Sequence, residues 1–375
     1  MSDYEELDFG FDNDASASSF GWNFQVNAGI FLFLHYIKEA KSIKIESKKE
    51  DIEIVLKEQN RIYAQAKSAQ EECSLGSAKK KYKDAIISLA KVSIQNEDVL
   101  VYISNLREPI KGGDKFFDNK VVAYGECLKS IQNEIRKMIQ EIINMLERKL
   151  QNKTAKDVQK KKCRIMLERV KNIDVNKLYF CSIYPYYGQE NNRYSVIKDK
   201  IIETFSNDID IGTENARGIS KKLLQHWQLG FEHNSTVKDN GIEKSISKEE
   251  FIWPVVVFLS EEESINIDDC LTFVVDSSIK KEASYYTESS VSVYHERFAF
   301  VNMVLRDYEE YKKGRLGTSV IDVEKMYIRN QYLKFIEEFS DIEDESVKEY
   351  VLKSAIYKII MKNKLIQKVS KEVNL

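Results

Sequence analysis

The most regular hydrophobic pattern in the chain lies between residues 51 and 67, where apolar and polar positions alternate in two short runs. The repeating apolar positions are Ile52, Ile54 and Leu56 in the first run and Ile62, Ala64 and Ala66 in the second. A period of two predicts strands that each bury one face. The polar link between the runs is short, so we expect the two strands to form a β-hairpin whose apolar face packs on the preceding helix.

Helical and strand patterns alternate around this hairpin. A period near 3.6 residues predicts helices over 22–40, 77–91, 126–150, 193–205 and 215–229, and a basic stretch over 152–162 leads into a further helical segment. Asn23 is the expected N-cap of the first helix. Short apolar runs predict further strands at 42–46, 99–103 and 178–183. Strands separated by helices are typical of a mixed α/β layer structure.

The pattern changes after about residue 235. Apolar runs at 255–259 and 271–275 predict short strands, and helices are predicted over 296–313, 320–338 and 346–366. The last helix carries an apolar stripe that is expected to pack either in its own domain or in the groove of a partner. The predicted organisation is an acidic flexible leader over 1–20, an α/β domain over 21–235 and a mainly helical domain over 240–375.

The charges divide the chain in a similar way. Residues 1–20 hold six acids and no base, 21–200 hold 34 Lys and Arg against 23 Asp and Glu, and 201–350 hold 17 against 30. A basic half followed by an acidic segment indicates two modules with different partners. An uneven solvated surface is the alternative explanation of the same distribution.

Composition excludes several classes of protein. With 43% hydrophobic residues, 14 Gly and 3 Pro among 375 residues, the chain is neither collagenous nor low-complexity. Its five cysteines include no C-x-x-C pair, which argues against a disulfide scaffold or a zinc ribbon and favours a reduced, cytoplasmic compartment. The longest apolar runs span about five residues, so no membrane span is predicted.

Two motif-like segments are excluded by their spacing. The segment Gly112-Gly113-Asp114-Lys115 lacks the spacing of a P-loop, which makes an ATP site unexpected. His295-Glu296 begins like a zinc-protease motif, but Ala299 stands where the second histidine would be.

Charged and amide side chains share the polar face of the predicted hairpin. With a three-residue turn over 58–60, Asp51 lies opposite Lys67, and Glu53 lies opposite Gln65, with Cβ atoms about 4.5–5.5 Å apart. A carboxylate and a second oxygen ligand suit Mg²⁺, which activates phosphodiesters, and a neighbouring lysine can offset negative charge. A solvated strand face built from the same residue types is the alternative.

An ordered set of residues in this part of the chain resembles the PD-(D/E)xK nuclease superfamily. The set consists of a helical Gly-x-x-x-Gln pattern at Gly21 and Gln25, a strand with Glu46, then Asp51, and a strand with Gln65-Ala66-Lys67. Within the superfamily it looks most like the double-strand DNA endonuclease domain that serves as an effector in bacterial antiphage systems of the CBASS and Lamassu types. The similarity covers residues 21–70; beyond them only the order of helices and strands agrees.

This resemblance implies a restriction-endonuclease-like fold and a metal-dependent DNA endonuclease that hydrolyses phosphodiester bonds, with Mg²⁺, or alternatively Mn²⁺, as the cofactor. The implied catalytic residues are Asp51, Gln65, Lys67 and Glu46, of which Asp51 and Gln65 bind the metal, while Gln25 has an accessory role. Glu53, on the same predicted strand face, is a further accessory candidate. Gln65 stands where the superfamily commonly has Asp or Glu.

The resemblance also implies partners. They are double-stranded DNA, the subunits of a defence complex, with an SMC-like ATPase favoured, and a second copy of the chain on activation. The C-terminal domain is expected to regulate the nuclease or to bind a partner. The alternative function is a non-catalytic scaffold that binds nucleic acid or another protein through the basic half.

A basic run on the helix predicted over 77–91 is the candidate DNA contact. It comprises Lys79, Lys80, Lys81 and Lys83. Cationic side chains bind DNA phosphates by releasing counterions, so this run is expected to grip the backbone. A solvated helix face is the alternative role.

Overall fold

The computed structural model describes most of the chain. The described residues are 15–47, 50–92, 97–151, 157–187, 193–236, 238–239, 242–243, 245–261, 277–288, 298–315, 320–361, 369 and 371–374. They belong to two compact units, Met1–Ile201 with Trp227–Ile246 and Ile202–His226 with Ser247–Leu375. The first unit ends at Ile246, and residues 202–226 group with the C-terminal residues, because packing rather than chain order defines a unit. Of the predicted leader 1–20, residues 15–20 are helical and the rest lie outside the described residues.

The first unit is built on a mixed, open sheet. Its strands are β1 (Ala40–Ile45), β2 (Ile52–Leu56), β3 (Arg61–Lys67), β4 (Val99–Ser104), β5 (Val122–Ala123) and β6 (Leu178–Ser182); β7 (Lys238–Asp239) and β8 (Ile242–Glu243) form a separate ribbon, and β9 (Ile246–Ser247) joins the main sheet. The sheet order is β5-β6-β4-β3-β2-β1-β9. Strands β1, β2 and β3 are antiparallel neighbours, whereas β3, β4 and β6 run parallel. The α/β prediction and the predicted hairpin are confirmed.

The helices of this part of the chain follow the predicted order. They are α1 (Ala15–His35), α2 (Leu75–Leu89), α3 (Lys129–Gln151), α4 (Asp157–Lys171), α5 (Ser195–Glu203) and α6 (Thr213–Thr236). Helix α1 begins seven residues before the expected start at Trp22 and ends at His35. Asn23 therefore lies inside the helix, and its predicted role as an N-cap is wrong.

Helix α1 covers one face of the hairpin strands. A Cβ added at Gly29 would lie 2.4 Å from Cδ1 of Ile45, so the bare glycine allows the helix to approach β1 closely. Ile45 pairs with Ile52, and both Ile52 and Ile54 are fully buried on this side. The apolar face of the hairpin thus packs against the preceding helix, as predicted.

Helices α2 and α3 cover the opposite face of the sheet and form its main core there. At its centre Phe180 of β6 lies between Phe117 and Tyr82, with ring centroids 5.7 and 6.3 Å away. Tyr63 of β3 and Tyr102 of β4 are buried in the same cluster. The polar side chains of β3 that follow Tyr63 therefore emerge at the edge of a packed core, and Gln65 itself is 4% exposed.

A helix replaces the first strand predicted beyond residue 250. Helix α7 (Lys248–Glu261) contains the whole run 255–259, and its apolar residues are buried on several sides. A short run that is apolar all round has no period that separates a strand from a buried helix, and length decides in favour of the helix. The strand predicted at 271–275 lies outside the described residues.

The described secondary structure beyond α7 is also helical. It consists of α8 (Ser277–Glu288), α9 (Phe298–Lys313), α10 (Val320–Gln331), a 3₁₀ segment (Tyr332–Phe339) and α11 (Glu345–Met361). Helix α11 packs against α8, α9 and α10, and the described part of its apolar stripe is buried there. Of the two predicted alternatives, the described stripe from Leu352 to Ile360 therefore packs in the core of its own unit and not in the groove of a partner.

A buried polar network connects α1 to two later segments of the first unit. Asn27 Nδ2 donates to the Tyr186 hydroxyl (2.9 Å), which donates to Asn23 Oδ1 (2.6 Å). Gln228 Nε2 donates to Asn27 Oδ1 (2.9 Å), and Asn23 Nδ2 donates to the Tyr194 hydroxyl (3.0 Å). Because Asn27 and Tyr186 at its centre are buried, these two depend on the network for hydrogen bonding, whereas Asn23, Tyr194 and Gln228 are half-buried.

Replacing Tyr186 with phenylalanine is expected to lower the free energy of unfolding by about 1–3 kcal/mol, because the amide of fully buried Asn27 loses one of its acceptors and keeps Asn23 O (2.7 Å). Tyr184→Phe is the matched control: the hydroxyl of this half-buried residue bonds exposed Glu72 and half-buried Tyr187, where water can replace it, and a change under about 0.5 kcal/mol is expected. Urea unfolding of the full chain measures both values. Equal losses in the two variants would contradict a stabilising role for the network.

Candidate active site

The turn between β1 and β2 brings two acidic residues to one end of the sheet. Glu46 N donates to Asp51 O (2.7 Å) and Ser47 N donates to Glu50 O (3.0 Å), and these two hydrogen bonds close the turn. Glu46 has φ of 56°, a left-handed conformation that residues other than glycine adopt infrequently. The backbone of this turn, rather than strand alternation, determines where Glu50 and Asp51 lie.

The turn between β2 and β3 closes one residue earlier than predicted. Leu56 N donates to Asn60 O (2.8 Å), so the turn covers 57–59 instead of 58–60. Gln59 accommodates the reversal with a φ of 66°. This change in the turn alters the register of the whole hairpin.

The predicted cross-strand partners are consequently wrong by two residues. Ile52 pairs with Ala64, so the preceding residue Asp51 lies opposite Gln65 instead of Lys67. Because side chains alternate with a period of two, a shift of two residues changes each partner but keeps every side chain on its predicted face. Asp51, Gln65 and Lys67, which were predicted to lie on one face, therefore still lie at the same end of the hairpin.

Asp51 is the centre of the resulting cluster. Its Oδ2 accepts hydrogen bonds from Gln65 Nε2 and from Ala66 N, the latter at 2.9 Å. The side chain of Gln25, on α1, forms a further hydrogen bond with Asp51. Helix α1 and strands β2 and β3 thus bring Asp51, Gln65 and Gln25 into direct contact.

The electrostatics of Asp51 reflect its burial. Desolvation raises the pKa of Asp51 to about 6, and the nearby Lys67 ammonium is the largest influence that lowers it. The Glu46 carboxylate acts in the opposite direction and raises this pKa, so Glu46 also lies near the cluster although its side chain is exposed. Perturbed carboxyl groups of this kind are common at functional sites.

Glu50 is a member of the site that the sequence analysis missed. Its side chain is 5% exposed, and desolvation together with the Asp51 charge raises the pKa of Glu50 to about 8. Ser88 of α2 and the ammonium groups of Lys67 and Lys91 offset part of this rise. The adjacent acidic pair Glu50-Asp51 was a signal in the sequence, but strand alternation would have put the two side chains on opposite faces.

Glu53 lies outside the cluster. It pairs with Tyr63 across the hairpin rather than with Gln65, and its carboxylate forms an ion pair with Arg61. The expected contact between Glu53 and Gln65 is absent among the described residues, and Glu53 serves to hold the two strands together.

The predicted DNA-contacting lysines have different environments. Lys79 and Lys83 both form ion pairs with Glu141 of α3, at 2.7 and 2.8 Å, and these bonds lower the pKa of Glu141 to about 2. Lys81 Nζ instead donates to Ser68 O (2.7 Å), just beyond β3, where desolvation and, to a smaller extent, the Lys67 charge lower the pKa of Lys81. Lys80 is exposed. Lys80 and Lys81 are therefore better placed for a ligand than Lys79 and Lys83.

The cluster offers oxygen donors of the kind that Mg²⁺ prefers. The carboxylates of Asp51 and Glu50 supply hard oxygens, and Gln65 adds an amide that now turns its NH₂ group toward Asp51. A half-turn of this amide presents its oxygen instead. Among the described residues there is no group of three or more His, Cys, Asp or Glu side chains arranged around one point for a metal ion.

Comparisons of the chain with protein-family models, curated proteins and solved structures find no match. Of the helices that the structure describes, none has the length and apolar character to cross a membrane.

Proposed function

We propose that this protein is a metal-dependent DNA endonuclease that hydrolyses phosphodiester bonds at the cluster of Asp51, Gln65 and Lys67, on a restriction-endonuclease-like fold. The observation that carries the proposal is the convergence of these residues at one end of β2 and β3. They belong to the ordered set in which the sequence resembles PD-(D/E)xK nucleases. A solvated strand edge does not account for Gln65, which is 4% exposed and bonded to Asp51.

Each residue has a role that follows from its chemistry. Asp51 is the carboxylate that would hold Mg²⁺ or Mn²⁺, and Gln65 would supply the second oxygen once its amide turns. In the metal-free protein the NH₂ group of Gln65 holds Asp51 in place. When bound, the cation supplies Lewis-acid chemistry at the scissile phosphate. Lys67 orients the attacking water and offsets the negative charge that develops on the phosphate. Gln25 keeps Asp51 in position, and Glu46 adds negative charge at the exposed side.

The proposed substrate is double-stranded DNA, approached from the side of Lys80 and Lys81. Lysines bind phosphates without reading sequence, so this contact provides affinity rather than specificity. By its resemblance the protein is proposed to be the effector of an antiphage defence system. Its proposed partners are an SMC-like ATPase and a second copy of the chain, with residues 240–375 in the regulatory role.

A plasmid cleavage assay on the full chain tests this function, at protein concentrations that favour self-association. Supercoiled DNA is expected to be cleaved with Mg²⁺ or Mn²⁺ and to stay intact with EDTA. Lys67→Ala is expected to slow cleavage at least about a hundredfold, the loss typical of one electrostatic contributor. Lys57→Ala is the matched control, since this exposed lysine belongs to the turn of the same hairpin.

Two results would contradict the proposal. One is cleavage that persists in EDTA or in the Lys67→Ala variant. The other is DNA binding without cleavage that neither EDTA nor Lys67→Ala affects, which would favour the non-catalytic scaffold.

A further inference from the structure

We propose that Glu50 is a second carboxylate ligand of the divalent cation at Asp51, an assignment that rests on the proposed nuclease function and adds a residue to its site. The resemblance assigns no role to Glu50. The inference comes from its burial, its lack of hydrogen-bond partners and its position in the turn between β1 and β2.

Glu50 is a buried carboxylate without a satisfied oxygen. It is 5% exposed, and neither Oε1 nor Oε2 reaches a partner with normal hydrogen-bond geometry among the described residues. The Ser88 hydroxyl of α2 lies close enough to lower the pKa of Glu50 without completing such a bond. Burying an ionised carboxylate is strongly unfavourable unless it is paired or coordinates a metal. A cation bound to these two oxygens would compensate the buried charge.

Two other buried carboxylates of the same sheet, unlike Glu50, have bonding partners. Glu53 forms an ion pair with Arg61, and Asp98, which is 3% exposed, accepts a hydrogen bond from Arg61 N at 2.8 Å. Both lie toward the other end of the hairpin from Lys67. Glu53 and Asp98 therefore each have a bonding partner, whereas the Glu50 carboxylate beside Asp51 has none of normal geometry among the described residues.

The charges that act on Glu50 belong to the candidate site. Asp51 is the strongest of them, followed by Lys67 and Lys91. Within the described part of the chain neither lysine forms an ion pair with Glu50. The two lysines therefore favour its charged form from a distance but do not neutralise the charge. When both are ionised, the Glu50 and Asp51 carboxylates repel each other, and a shared divalent cation would attract both.

The backbone supports this arrangement. Ser47 Oγ accepts from Glu50 N and donates to Glu50 O, both at 3.0 Å, so the main chain of Glu50 is held independently of its side chain. The side chain is therefore not needed to close the turn. A substitution at Glu50 should alter cation binding while the hairpin stays folded.

Binding of Mn²⁺ alone to the full-length protein, measured by calorimetry and by electron paramagnetic resonance, tests the assignment without DNA. Glu50→Gln is expected to weaken Mn²⁺ binding about tenfold or more, because a charged carboxylate ligand becomes a neutral amide. Mn²⁺ should raise the melting temperature of the wild type but raise it much less in this variant. Asp98→Asn is the matched control, a buried carboxylate remote from the site, and should bind Mn²⁺ as the wild type does.

The outcomes separate this inference from the proposed function. Mn²⁺ binding that Asp51→Asn abolishes but Glu50→Gln leaves unchanged would overturn the role of Glu50 and leave the nuclease proposal intact. A wild-type protein that neither binds Mn²⁺ nor cleaves DNA would overturn both. Glu50→Ala is the second variant, and circular dichroism verifies that each variant is folded; weakened binding in both folded variants supports the assignment.

Discussion

Asp51→Asn is expected to reduce metal-dependent DNA cleavage at least about a hundredfold while the protein stays folded. Asparagine keeps the shape of the side chain and an oxygen that can accept from Ala66 N, which donates to Asp51 Oδ2 at 2.9 Å. It removes the negative charge that would hold the cation. Asp51→Ala is expected to abolish cleavage as well. Plasmid cleavage rates with Mg²⁺ measure the loss, and circular dichroism verifies the fold.

The control for this prediction is Glu58→Gln, an exposed carboxylate in the turn of the same hairpin, which should cleave DNA like the wild type. Full cleavage by the Asp51 variants would show that another carboxylate binds the metal. Glu46 would then be the next candidate, because its charge acts on the same cluster.

The stability of the metal-free protein is expected to fall as the pH rises from about 5 to 8. The pKa of Glu50 is raised from 4.5 to about 8 in the folded protein. A carboxyl group with a raised folded pKa contributes stability that is fully present below its unfolded pKa and is lost as the pH rises through the folded pKa. For Glu50 the loss is on the order of 4 kcal/mol, and Asp51, raised to about 6, acts in the same direction over a lower range.

Urea midpoints measured in EDTA between pH 5 and pH 8 check this expectation. Glu50→Gln carries no charge to bury, so its profile should be much flatter than that of the wild type, and the variant should be more stable near pH 8. Identical slopes for the wild type and Glu50→Gln would show that Glu50 pays no desolvation cost in the folded protein.

Local patterns were sufficient where one periodicity dominated. The alternation at Ile52–Leu56 and Arg61–Lys67 predicted two strands and the face that each buries, because a half-buried strand must alternate. The amphipathic helices over 77–91 and 126–150 were predicted for the same reason. The apolar run 255–259 was not, because a segment that is buried on several sides loses the period that identifies it.

The sequence by itself determined which residue types meet at the candidate site, and the tertiary structure decided how they meet. Asp51, Gln65 and Lys67 were predicted on one face, but the turn closed by Leu56 and Asn60 set their register and paired Asp51 with Gln65. Register depends on turn geometry and on packing against distant helices, neither of which is encoded in strand alternation.

Burial and pairing of charges were likewise decided by tertiary structure alone. Lys79 and Lys83 looked like part of one basic run, yet Glu141, about sixty residues away in sequence, pairs with both of them. Glu50 looked like an ordinary acid in a polar turn, but the packing of α2 over the sheet buries it beside Asp51. The solvation of a side chain depends on neighbours that are remote in sequence. For that reason the sequence predicted which residues meet at the candidate site but not how deeply they are buried or how their charges are paired.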